Sequence, residues 1–170
     1  MADCDAILPL IQPGWTGVEI GVKLGDSSLV FLGRGCTMYL VDPWTDYSES
    51  TEVHFAGDHG GDAAYEEVQR RVRPFADRVT ILRMMSDRAA PCIPTELDFV
   101  FIDGNHRASY VRRDVELYWP KVRSGGLLAG HDYTYVEGIC EVRPVVDQFI
   151  ASNPGTYLEV FSGSWVVRKP

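Results

Sequence analysis

Five polar clusters stand where short apolar runs stop: Glu19-Ile20-Gly21, Asp42-Pro43-Trp44, Ser86-Asp87, Asp103-Gly104 and His131-Asp132. Each contains an acid. Gly21 and Gly25 form a G-x-x-x-G turn, and glycine there lets the backbone approach a ligand closely. Asp42 follows that turn by about 20 residues, the spacing at which an acid accepts hydrogen bonds from ribose hydroxyls. A simple turn initiator is the alternative reading of Asp42-Pro43. The G-x-G-x-x-G pattern of a pyrophosphate site is absent from this turn, which argues against a dinucleotide.

The clusters need a scaffold, and the apolar pattern supplies one. Strands are predicted over 17–20, 37–41, 78–82, 97–102 and 127–130, the last entered by a turn at Gly125-Gly126. Between them helical spacing recurs: Asp5 to Ile11, Asp26 to Leu32, Tyr65 to Phe75, Val111 to Trp119 and Ile139 to Ile150. Two further strands, 157–161 and 165–168, are joined by Ser162-Gly163-Ser164 as a hairpin. The prediction is therefore an α/β domain. It has one doubly wound, mostly parallel seven-stranded sheet, Rossmann-like, ending in an antiparallel hairpin. In such sheets ligands lie at the carboxyl ends of the strands, where the five clusters fall. Residues 44 to 60 are polar and irregular and read as a lid or binding loop, with His54 and His59 solvated.

Composition narrows the function. The 170 residues make one domain, 1–170, without linker or repeat, and 45% hydrophobic content is enough for a real core. The net charge of -8 repels phosphate backbones, so nucleic acid is a poor partner. Cys4, Cys36, Cys92 and Cys140 are scattered without C-x-x-C spacing and read as reduced thiols of a cytoplasmic protein. The acidic first residues predict no signal peptide, and strand-sized apolar runs predict no membrane span. A homo-oligomer is left open.

Glu19-x-Gly21 with Asp42, and then FIDGNHRASYVRRDVELYWPKVRSGGLLAGHDY (residues 101–133), carry a resemblance. The chain resembles the class I methyltransferase family that includes antibiotic-sugar O-methyltransferases and cephalosporin-pathway enzymes, similar in core to catechol O-methyltransferase. The resemblance covers roughly residues 15 to 135 and is strongest over 97–133. The terminal hairpin fits that family's reversed last strand. The resemblance implies transfer of a methyl group from S-adenosylmethionine to a hydroxyl of a small molecule. Glu19 and Gly21 would lie by the methionine part of the cofactor. Asp42 would hold its ribose, Trp44 would be near its adenine, and Ser86 and Asp87 would be at the adenine edge. Asp103 matches a position that ligates a divalent cation, Mg2+ or Mn2+, in metal-dependent members, and His131-Asp132 matches their second ligand pair. A histidine there departs from the usual acid or amide. His106, three residues after Asp103, would orient the substrate or act as base, and His131 is the other candidate base.

The implied chemistry is physically coherent. Positioning the nucleophile in line with the methyl carbon supplies much of the rate. A cation held by Asp103 and Asp132 would lower the hydroxyl pKa, and a histidine can take the proton near neutral pH. Two other readings remain: an NAD(P)-type nucleotide-binding oxidoreductase, and a non-catalytic methyltransferase-like partner subunit. The missing G-x-G-x-x-G and the hairpin count against the first, and the strand-end acids against the second.

Overall fold

A computed structural model describes residues 4–45 and 61–170. Strand and helix alternate through the body: β1 (Thr16–Ile20), α1 (Asp26–Gly33), β2 (Thr37–Val41), α2 (Gly61–Val72), β3 (Val79–Leu82), α3 (Ser86–Ala89), β4 (Leu97–Ile102), α4 (Ala108–Tyr118), β5 (Val122–Gly130) and α5 (Val142–Ser152). β6 (Leu158–Phe161) and β7 (Ser164–Arg168) follow directly. The seven strands form one sheet in the order β3-β2-β1-β4-β5-β7-β6. β1 to β5 are parallel, and β7 runs antiparallel to both β5 and β6. A strand without an intervening helix can join a parallel sheet only by reversing, and the turn at Ser162-Gly163 makes that reversal.

The central strands are apolar on both faces, as a sheet covered on both sides requires. Val18, Ile20, Val100, Ile102 and Leu128 pack under α4 and α5 through Val111, Val115, Tyr118 and Val146. Met38, Leu40, Phe99, Phe101 and Leu127 pack on the other face under α1 and α2 through Phe31, Leu32 and Val68. Glu19 is the one acid that β1 sends into this second face. Among the described residues no helix is long and apolar enough to cross a membrane.

Four departures from the sequence pattern stand out. The helix predicted over Asp5 to Ile11 is only a 3-10 turn at Leu8–Leu10, opened by Pro9. β5 starts at Val122, so Gly125-Gly126 lies inside it rather than before it. Its pairing with β4 slips between Leu97 and Phe99, a bulge that leaves no room for a side chain at Gly126. The helix predicted from Ile139 begins only at Val142, because Val136 and Cys140 pair backbone to backbone. A single helical turn, α3, follows β3, where the sequence showed only Ser86-Asp87. Beyond Thr45 the predicted lid lies outside the described residues.

Candidate active site

Register alone brings the site together. Val41 pairs with Ile20, Ile20 with Ile102, and Ile102 with Gly130. The residues that follow these four are Asp42, Gly21, Asp103 and His131, one row across the carboxyl ends of β2, β1, β4 and β5. The row spans the point where the chain reverses direction across the sheet, between β1 and β4. Gly21 has φ +86°, and a Cβ there would lie 2.2 Å from the Asp103 carbonyl oxygen. Only glycine permits that approach and that backbone angle together.

Beside the row lies a cleft of about 280 Å³ including its open mouth. Ile20, Gly21, Val41 and Pro43 line one side. Met84, Met85, Ser86, Tyr110, Arg113 and Asp114 line the other. Asp42, between Val41 and Pro43, holds the adjoining turn. Its Oδ2 accepts the Val22 and Lys23 amides at 2.9 and 3.0 Å, and its Oδ1 accepts that of Trp44 at 2.7 Å. The carboxylate thus pins the glycine turn to the end of β2.

Trp44 is buried rather than open to the cleft. Its ring packs on Tyr65 with centroids 5.1 Å apart, and its Nε1 donates to the Lys23 carbonyl at 2.9 Å. An indole spent on the core in this way has no face left for a purine in this conformation. Glu19 is 2% exposed and accepts the Ser28 hydroxyl from α1. Burial pushes its carboxyl well above the usual range. The Ser28 hydrogen bond opposes that shift and the Asp103 charge adds to it.

At the other end of the row four side chains converge. One ligand atom each from Asp103, His131 and Asp132 lies within 4.8 Å of the other two. His106 Nε2 stands 3.2 Å from Asp132 Oδ2 and 3.7 Å from Asp103 Oδ1, and His131 Nδ1 is 3.4 Å from Asp132 Oδ2. The His131 hydrogen bond, opposed by desolvation and helped by the His106 charge, holds the Asp132 carboxyl below the usual range. His106 reaches the cluster from a loop that Glu141 clamps. The Glu141 amide donates to the His106 carbonyl at 2.8 Å, and its carboxylate accepts the Ala108 amide at the start of α4.

The sequence reading gave no role in the site to Glu141, Arg113 or Asp114. A signal for Asp114 existed. It falls on the stripe Val111, Asp114, Val115, Tyr118, the face that α4 buries. An acid on an apolar stripe is a buried acid, and Asp114 is 3% exposed. Of the predicted residues, Asp103, His106, His131 and Asp132 come together at one end, and Gly21 and Ser86 line the cleft. Asp87 lies on the surface of α3, 3.9 Å from Arg113 Nη1.

A family model described as a methyltransferase domain matches residues 18–133, from β1 through the His131-Asp132 turn. A protein of Acanthamoeba polyphaga mimivirus is 34% identical over 59 residues, 35% of this chain, and the match spans 27% of that protein's own length. Among solved structures, the O-methyltransferase NovP superposes with a TM-score of 0.72 at 19% identity, over 98% of this chain and 76% of that one. An rRNA methylase from Streptococcus thermophilus gives 0.64 at 10% identity, over 96% and 90%. At such identities the two structures share a fold with this chain. With a family model spanning the sheet from its first strand to the acidic cluster, the chain belongs to the methyltransferase-domain family and has the fold of the class I S-adenosylmethionine-dependent enzymes.

Proposed function

We propose that this protein transfers the methyl group of S-adenosylmethionine to a hydroxyl of a small molecule, with Asp103, Asp132 and His131 as ligands of a divalent cation and His106 as the base. One observation carries the reading: two carboxylates and two imidazoles converge beside a cleft at the carboxyl ends of the strands. The residues present fit both groups. Gly21 offers bare backbone where a side chain would collide. Asp42 uses three of its roughly four acceptor positions on the turn, which leaves one for a ribose hydroxyl. Two carboxylates suit Mg2+, and the added imidazole favours Mn2+.

When bound, S-adenosylmethionine supplies an activated methyl group and the cation acidifies a hydroxyl. The chain's own residues do the rest. Gly21 and Asp42 shape the turn for the methionine and ribose parts, and Ser86 faces the adenine edge. Glu19 and Trp44 act from beneath, by fixing α1 and the Lys23 carbonyl. His106 takes the acceptor's proton, and the proton then sits beside Asp132 and Asp103. A net charge of -8 supports a small, uncharged or cationic acceptor over an RNA.

A cation-free reading has its own support. His106 Nε2, 3.2 Å from Asp132, already stands where an imidazolium would neutralise the acids. The two readings separate in a methyl-transfer assay on a panel of hydroxyl-bearing acceptors. EDTA should reduce the rate by tenfold or more, and Mn2+ or Mg2+ should restore it. Activity that survives EDTA, with no metal-dependent rise in melting temperature, rejects the cation and leaves acid–base catalysis by His106.

A further inference from the structure

The proposed chemistry gives no part to α2, yet α2 reaches the glycine turn. Three residues of the turn hold positive φ: Gly21 at +86°, Lys23 at +53° and Gly25 at +80°. At Lys23 this backbone is strained, and it persists only where the surroundings hold it. From the end of β2, Asp42 holds the Val22 and Lys23 amides and Trp44 Nε1 holds the Lys23 carbonyl. The next carbonyl, that of Leu24, accepts Arg71 Nη1 from the last turn of α2. Arg71 Nη2 donates to Asp26 Oδ1 at 2.7 Å, at the first residue of α1.

A basic residue in the last turn of a helix has an ordinary use, toward water or along its own helix. Arg70 has that use: its side chain is 72% exposed and pairs with Glu67. Arg71 is 24% exposed and crosses 47 residues of sequence to its carbonyl. Its two donors take a carbonyl just before Gly25 and a carboxylate just after it. Gly25 itself precedes α1 without a side-chain cap, and its amide closes the turn on the Val22 carbonyl at 2.7 Å. Val22 and Val68 share one core cluster, with Leu24 packed against it, so an apolar contact between turn and α2 underlies the guanidinium.

We infer that Arg71 is a positioning residue for cofactor binding: it ties Leu24 and Asp26 to α2 and so keeps the glycine turn in its cofactor-accepting shape. The inference rests on the cofactor reading above, in which Gly21 and Asp42 shape this turn for the methionine and ribose parts. Arg71 acts through the turn and touches no ligand. Without it the strained turn spends only part of its time in that shape, and the apparent affinity falls by the populated fraction.

The test is calorimetric titration of the full chain with S-adenosylhomocysteine, at a temperature where circular dichroism shows each variant folded. Arg71→Met keeps most of the apolar stem and loses both bonds. Its affinity should fall at least about tenfold, as it does when the accepting shape is populated about a tenth of the time. Arg70→Met removes the same charge one residue away, and its affinity should stay within about twofold of wild type. Amide exchange gives the second readout. In the ligand-free Arg71→Met chain the Gly25 amide should speed up at least about tenfold more than the amides of β1 do. A role in overall stability alone would speed both sets in parallel and leave the affinity of the folded variant unchanged. If Arg71→Met does not fold, Arg71→Gln, too short to reach Leu24, carries the same expectations. A folded Arg71 variant that binds as tightly as wild type, or an equal loss in Arg70→Met, overturns this inference alone. A wild type that does not bind S-adenosylhomocysteine overturns the cofactor reading and this inference with it.

Discussion

Asp42 shows how one carboxylate can organise a turn, and in the proposed function it also accepts a ribose hydroxyl. Its spacing from Gly21 marked it as a ribose acceptor, and the structure gives it three backbone amides to hold as well. Charge-assisted bonds of this kind are each worth about 1.5–3 kcal/mol. Asp42→Ala should therefore have two effects. Affinity for S-adenosylhomocysteine should fall by about 1–3 kcal/mol, and the free energy of unfolding in urea should fall by about 2 kcal/mol or more. Calorimetry and denaturation on the same sample check both. Unchanged affinity in a folded variant would remove the ribose from Asp42. Unchanged stability would mean that the glycine turn holds without it.

At the scale of the element, α4 carries the unusual burden. Its apolar stripe includes Asp114, whose carboxyl burial raises from 3.8 to about 6. A raised acid binds its proton more tightly in the folded chain than in the unfolded one. Its contribution to stability is full below the unfolded value of 3.8 and is lost as the pH rises through about 6. The difference amounts to about 3 kcal/mol. Wild type should thus lose about 2 kcal/mol more than Asp114→Asn between about pH 4 and about pH 7, read by urea unfolding across that range. Parallel pH profiles for the two proteins would contradict the burial of a titrating acid. Much of the rest of the element scale was legible. Period-2 and period-3.6 patterns located most of the strands and helices, and the rule that ligands gather at strand ends picked out Gly21, Asp103, His131 and Asp132 before any pairing was known. Less legible were features set by tertiary packing. The bulge in β5 depends on how Gly126 meets Asp98 and Val122, the burial of Trp44 depends on Tyr65, and the clamp on His106 depends on Glu141. Asp98, Tyr65 and Glu141 each lie 21 or more residues from the residue they meet, where local spacing carries no signal.

The whole molecule brings these scales to one row of residues. Parallel register aligns Asp42, Gly21, Asp103 and His131, the antiparallel hairpin closes the sheet beyond β5, and the cleft opens along that row. The fold is shared with enzymes of differing substrates, so the chemistry must be read from the site. A nicotinamide dinucleotide would need a pyrophosphate cradle that the Gly21–Gly25 turn does not spell. The most direct test of the central claim is calorimetric titration of the folded chain with S-adenosylhomocysteine and, separately, with NAD. The account predicts one site per chain for S-adenosylhomocysteine, with a dissociation constant on the order of micromolar, or about 8 kcal/mol, and no measurable binding of NAD. NAD binding as tight as that of S-adenosylhomocysteine, or a folded chain that binds neither, would contradict it.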